Sequence, residues 1–120
     1  ISPDFHDENL SAIVPAALEA GIGIVNYGNT RRIEEPRLSQ RAGGLSGPAI
    51  LPAMLANVRA LRARFGDALE IIATGGIHSP DTARQALDAG ATACGYFTAF
   101  ITEGPLLARR ILDGLLTSRK

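Results

Sequence analysis

The sequence is short of several things, and each shortage removes a class of function. Net charge is absent: twelve basic residues cancel twelve acidic ones, which leaves no electrostatic footprint for nucleic acid or an anionic membrane surface. A small molecule becomes the expected partner. No apolar run approaches the roughly 20 residues that cross a bilayer. The first residues, Ile1-Ser2-Pro3-Asp4, form neither a charged leader nor an apolar signal core, so a soluble, cytoplasmic protein is expected. Cys94 is the only cysteine and lies in an apolar stretch. It has no internal disulfide partner, and it suits a reducing compartment and a buried, inert thiol. His6 and His78 are far apart, and no cysteine or carboxylate spacing completes a set with either, so no metal is expected. No linker or low-complexity tract divides the chain, and residues 1–120 read as a single segment.

What is present is a repeating alternation. Leu10, Ile13, Val14, Ala17 and Leu18 recur at helical spacing over Asn9 to Ala20, with Gly21 placed to end the helix. Pro15 falls inside that span, where a regular interior would lose about 3 kcal/mol, so a kink or a later start is expected. Ile22 to Val25 reads as a strand buried on both faces, with Asn26 at its end. Residues 27–48 have a charged centre and no periodicity, and read as a long loop of the kind that is functional or disordered. Leu51, Met54, Leu55, Val58, Leu61 and Phe65 mark one face of a helix that Gly66 ends. A strand follows from Leu69 to Thr74. Ser79-Pro80-Asp81 then supplies a cap, a proline at the first helical position and an acid in the first turn, ahead of an apolar stripe of Ala83, Ala86 and Leu87 closed by Gly90. A third strand is expected from about Thr92 to Phe97. The last helix, from about Pro105 to Leu116, would have an inner face of Leu106, Leu107, the Arg110 stem, Ile111 and Leu115.

This order predicts an α/β fold in which three parallel strands alternate with helices. The strands could end a barrel or stand inside an open doubly wound sheet, and periodicity does not separate the two. A complete eight-stranded barrel needs about 250 residues, so 120 residues would be part of one.

In either architecture ligands bind at the C-terminal ends of the strands. After the second strand comes Thr74-Gly75-Gly76-Ile77 and a capped helix; after the third comes Phe97-Thr98-Ala99, leading through Glu103-Gly104-Pro105 into the last helix. Adjacent glycines let backbone N–H groups approach an anion unshielded, and two successive turns of this form suit a phosphate better than a mere tight turn. Gly43-Gly44-Leu45-Ser46-Gly47 could lie against a flat ligand or a phosphate, and a hinge serves it equally well. Asn26, or Asn29 with Thr30, offers the paired donor and acceptor that a planar amide or imide needs, although turn residues also look like this. Asp4 reads as a cap or turn residue.

Ile1-Ser2-Pro3-Asp4, the Asn26 strand end, Gly43 to Gly47, Thr74 to Ile77, and Thr98 through Glu103-Gly104-Pro105 occur in one order and spacing. That series resembles the C-terminal half of the dihydroorotate dehydrogenases over almost the whole chain. Gly43 to Gly47 looks like the quinone-using class, whereas Leu51 to Val58 looks more like the fumarate-using class. The resemblance implies the C-terminal part of a TIM (β/α)8 barrel that binds FMN and oxidises dihydroorotate to orotate in pyrimidine biosynthesis. It places Gly47, Gly75, Gly76, Phe97 and Thr98 at FMN, the last four around its phosphate. It places Asn26 at the pyrimidine, or Asn29 and Thr30 if the alignment shifts. Tyr27 stands where the family usually has Ser or Thr. The family's FMN-contacting lysine and its catalytic serine or cysteine fall upstream of Ile1, so no catalytic residue is expected within these 120 residues. Such a half-barrel, inactive by itself, would fold poorly alone or associate with its own copies. The rival readings are a phosphate-binding isomerase or lyase without flavin, and a non-catalytic half-barrel that acts in assembly.

Overall fold

The computed structural model describes residues 1, 2, 4 and 7–117. Pro3 and His6 lie outside the described residues. The elements in chain order are α1 (Asp7–Glu19), β1 (Ile24–Gly28), β2 (Arg31–Glu34), β3 (Ala42–Leu45), α2 (Leu51–Phe65), β4 (Glu70–Thr74), α3 (Pro80–Asp88), β5 (Ala93–Gly95), α4 (Thr98–Glu103) and α5 (Leu107–Thr117). A 3₁₀ turn over Gly47–Ile50 leads into α2.

Strands β1, β4 and β5 form one parallel sheet in that order, with Asn26 opposite Ile72, Gly28 opposite Thr74, and Thr74 opposite Gly95. Ile1 extends it at the β1 edge: its amine donates to the Asn26 carbonyl (2.6 Å) and its carbonyl accepts from the Gly28 N–H (3.2 Å), the bonding of a parallel bridge. Residues of alternate parity face opposite sides. Val25, Tyr27, Ile71 and Ala73 are buried in one core with Met54, Val58 and Leu61 of α2, Ala83 and Ala86 of α3, and Leu107 and Ile111 of α5. Among the described residues, no helix covers the other face. Ile24 is 55% exposed there, with Asn26 and Ala93 also open.

That asymmetry decides between the two architectures. A doubly wound sheet carries helices on both faces, whereas a barrel wall carries them only outside. The chain is accordingly a flat slab of 46 × 38 × 21 Å. Its radius of gyration of 15.3 Å exceeds the value of about 13.6 Å expected for a compact domain of this length. The fold is α/β, three parallel strands alternating with helices as part of a TIM-type barrel. No helix among the described residues is long and apolar enough to cross a membrane.

Several elements differ from the sequence expectation. β1 ends three residues beyond its apolar run, so Asn26 sits in mid-strand, and the strand is buried on one face only. Residues 27–48 are no plain loop: β2 and β3 form an antiparallel hairpin with Arg31 opposite Leu45. β5 is only three residues long, and α4 occupies a stretch expected to be irregular. Leu87 and Leu106, assigned to inner faces, are exposed. Pro15 lies within α1, which starts earlier than expected rather than later.

Other features follow their local chemistry. Gly21 and Gly90 take positive φ and end α1 and α3 with the same paired bonds, Gly21 N–H to the Leu18 carbonyl with Ile22 N–H to Ala17, and Gly90 N–H to Leu87 with Ala91 N–H to Ala86. Cys94 is half-buried against the core, and burial pushes its thiol above the ordinary cysteine range. A raised thiol pKa favours the fold at and below neutral pH and ceases to do so as pH climbs into the thiol's titration range.

Arg62 ties the N-terminal ends of β4 and β5 to α2. Its guanidinium donates to the carbonyls of Gly90 (2.9 Å), Leu69 (2.8 Å) and Gly66, and to the Thr92 hydroxyl (3.4 Å). Its stem crosses Gly90 where a side chain would intrude. Arg62→Ala is expected to lower stability by about 2 kcal/mol, read from urea unfolding. Arg62→Lys should recover little of the loss, because the three donors of an ammonium share one nitrogen and cannot span acceptors that Nε, Nη1 and Nη2 reach separately.

Candidate functional site

At the C-terminal end of the sheet, the turn after β4, the start of α4 and the turn into α2 surround a cleft of about 600 Å³. Gly47, Gly75, Gly76, Phe97 and Thr98 all line it, and so do Asn29 and Thr30. Asn26 does not; it lies on the uncovered sheet face and reaches the cleft only through Thr74, whose hydroxyl donates to its Oδ1 at 2.7 Å.

The turns meet through specific contacts. The Thr98 hydroxyl donates to Ser46 Oγ at 3.0 Å, which holds the α4 start against the end of the hairpin. Gly75 (φ +126°) and Gly76 (φ +77°) both have positive φ. They are also glycines for packing reasons: a Cβ on Gly75 would come within 2.8 Å of Ile50, and one on Gly76 within 2.9 Å of three Leu51 atoms. Asn29 takes φ +125° and donates its N–H to the Thr74 carbonyl at 3.2 Å. Gly43 and Gly44, by contrast, lie within the hairpin, where side chains would strike Leu38 and Thr30. Only Ser46 and Gly47 of that glycine-rich segment reach the cleft, and the segment is strand and turn rather than hinge.

The donors available to an anion differ from those the sequence suggests. Helix α3 caps itself: the Ser79 side chain accepts from Thr82 N–H (3.2 Å), while Thr82 Oγ1 accepts from the N–H groups of His78 (3.0 Å) and Ser79 (2.9 Å). With Pro80 at its first position, that helix has little left to offer. Helix α4 has no side-chain cap. Among the described residues, the amides of Gly76 and Ile77 and those of Thr98, Ala99 and Phe100 have no acceptor, whereas the Gly75 N–H continues the ladder with Gly95. Unpartnered N–H groups on two facing turns, beside a hydroxyl, fit a phosphate. No lysine or arginine lines the cleft, and Glu103 at its edge is held by Arg110 at 2.8 Å. His78 Nδ1 donates to the Gly76 carbonyl at 2.7 Å, steadying the same turn. Phe97, 73% exposed, stands at the mouth.

A neighbouring cleft of about 670 Å³ shares Asn29, Ile50 and Thr74 but is bordered by both charge signs, Arg31, Arg32, Asp4 and Glu34. The Asp4 carboxylate accepts from the Arg32 backbone N–H at 3.3 Å, a backbone-holding role. It gathers fewer of the unpartnered donors, so the smaller cleft is the better candidate. Among the described residues no group of three His, Cys, Asp or Glu is placed to hold a metal. Ser46 and Thr74 were not singled out from sequence. Each is an ordinary hydroxyl beside a glycine, and only the strand register makes it a partner.

Comparison with known proteins gives one consistent answer. The family model described as dihydroorotate dehydrogenase matches residues 1–118. Among the similar curated proteins, the dihydroorotate dehydrogenase (quinone) of Chloroflexus aurantiacus is 36% identical over all of this chain and 35% of its own length. That of Rhodococcus opacus is 40% identical over 96% of this chain and 34% of its own. The ligand-free DHODH crystal structure from Eimeria tenella superposes with a TM-score of 0.82 at 35% identity, over 98% of this chain and 34% of that one. A second structure from that organism, in complex with ferulenol, superposes equally well. The chain thus spans about a third of the length of the relatives it matches.

Proposed function

We propose, for a chain that belongs to the dihydroorotate dehydrogenase family, that it is the C-terminal portion of an FMN-binding barrel and that the whole protein oxidises dihydroorotate to orotate. The observation that carries this reading is the meeting of two sets of unpartnered amides, after β4 and at the start of α4, in one cleft with the Thr98 hydroxyl. A side chain on Gly76 would collide with the start of α2, and one on Gly75 would press on the Ile50 side chain, so the backbone there stays bare.

Gly75, Gly76, Phe97 and Thr98 would hold the phosphate of FMN, with Gly47 close beside them. Bound FMN would supply the hydride acceptance that no amino-acid side chain provides. The residues of this chain bind and orient. The amides carry the phosphate charge without a cation. Phe97 offers an apolar surface at the mouth. The sheet row of Gly28, Thr74 and Gly95 has a side chain only at its centre, which leaves room for a flat ring. Asn26, on the open face, faces the space where a pyrimidine would lie, with Asn29 and Thr30 at the cleft edge. The 120 residues supply no catalytic base. The two bacterial relatives carry quinone in their names, and we extend that acceptor class to this protein.

The test is the visible spectrum of the full-length protein before and after anaerobic addition of dihydroorotate. A yellow protein that bleaches supports the reading. A yellow protein that does not bleach retains the flavin but rejects the substrate, and a colourless one that FMN cannot reconstitute rejects the flavin.

A further inference from the structure

We infer that Thr74 is a positioning residue that decides which end of the Asn26 amide faces the ligand. The inference rests on the reading that Asn26 contacts the substrate. Asn26 lies in the middle of β1 on the uncovered face, opposite Ile72, and Thr74 lies one pleat further along the adjacent strand, opposite Gly28. The Thr74 hydroxyl reaches back diagonally and donates to Asn26 Oδ1 at 2.7 Å. Its neighbours in the sheet row, Gly28 and Gly95, have no side chains, and a Cβ on Gly95 would come within 2.6 Å of Thr74 Oγ1. A β-branched side chain is stiff at χ1. Thr74 therefore sits in a slot that only glycine on β5 leaves open, with its hydroxyl aimed at one acceptor.

The chemical consequence concerns selectivity. A carboxamide has an acceptor end and a donor end. With Oδ1 engaged by Thr74, the Nδ2 amino group is directed the other way, and no acceptor among the described residues takes its protons. Asn26 thus presents donors over the open face. It selects a planar ligand by a carbonyl or carboxylate oxygen and disfavours one that offers an N–H at that point. The residue type alone leaves both ends of the amide available, and the Thr74 contact removes that ambiguity.

The experiment compares Thr74→Val, which keeps the shape and removes the hydroxyl, with Thr74→Ser, which keeps the hydroxyl, in the FMN-loaded full-length protein. Orotate affinity is read from perturbation of the flavin spectrum. The expected result is about tenfold weaker binding in Thr74→Val and near-normal binding in Thr74→Ser. In an Asn26→Ala background, Thr74→Val should add nothing, since the two act as one unit. Independently of any ligand, the Asn26 side-chain ¹⁵N–H₂ resonances should shift in Thr74→Val and stay in place in Thr74→Ser. Wild-type-like orotate binding by Thr74→Val, or unmoved Asn26 resonances, would overturn the inference while leaving the proposed function standing. A wild-type protein that holds flavin but binds no orotate would instead overturn the substrate reading, and this inference with it.

Discussion

Gly76→Ala is expected to cost the fold about 3 kcal/mol or more and to weaken FMN binding at least tenfold, from left-handed strain and overpacking together. The position has φ +77°, and a Cβ there would approach Leu51 Cβ to 2.7 Å, Leu51 N to 2.8 Å and Leu51 Cα to 2.9 Å. Two of those three are backbone atoms at the start of α2, which cannot swing aside as the end of a flexible side chain can. Relief requires α2 and the 3₁₀ turn before it to move, and that turn carries Gly47. One methyl group therefore disturbs the packing of β4 on α2 and also pulls apart two walls of the cleft. Urea unfolding with and without FMN separates the effects: the midpoint should fall in both, and the stabilisation by FMN should shrink. A variant with the wild-type midpoint would show that the turn after β4 does not press on α2.

Gly28→Ala should be worse, with the chain failing to accumulate as a folded protein. A Cβ at this position, where φ is +124°, would lie 1.6 Å from the Thr74 carbonyl oxygen, closer than any non-bonded contact. The ends of β1 and β4 would have to part, breaking the Asn29 N–H to Thr74 bond and drawing Thr74 away from Asn26. A loss beyond about 4 kcal/mol is expected, of the order of a small domain's whole stability. Gly23→Ala is the control. It precedes the same strand, has ordinary φ and nothing within 4 Å of a new Cβ, so it should be neutral or stabilise by about 0.5 kcal/mol. Soluble yield and circular dichroism distinguish the pair, and a well-folded Gly28→Ala would contradict the closeness of β1 and β4.

The alternation of helices and strands was legible because it is written locally. Ser79-Pro80 marks the start of α3, Gly21 and Gly90 mark two helix ends, and Leu51 to Phe65 has clear helical spacing. The hairpin was not. Arg31 to Glu34 is charged and Ala42 to Leu45 holds two glycines; both read poorly as strands, and their pairing with each other sets their conformation. The boundaries of β1 follow its ladder with β4 rather than its apolar run, which is why Asn26 is in mid-strand. Ile24 reads as core from its neighbours yet is 55% exposed, because the buried core lies on the other face of the sheet, where Val25 and Tyr27 point.

At the site, position was legible and cause was not. Gly75, Gly76, Phe97 and Thr98 follow strands that end at one edge of a sheet, and any parallel α/β fold would gather them. The sequence pattern also suggested that the α3 N-terminus would serve an anion. The structure shows Ser79 and Thr82 consuming those donors between them and the uncapped start of α4 keeping its own free. Thr82 at the third helical position was the available clue, since a hydroxyl there can complete the reciprocal cap that Glu or Gln usually makes.

The proposed function requires a cleft built for a phosphate attached to a flavin. The measurement that tests it most directly is a fluorescence titration of the flavin-free full-length protein with FMN and, separately, with riboflavin, which has the same ring and no phosphate. Several amide bonds to a dianion predict that FMN binds about a hundredfold tighter than riboflavin or more. Equal affinity for the two, or binding of neither, would contradict it.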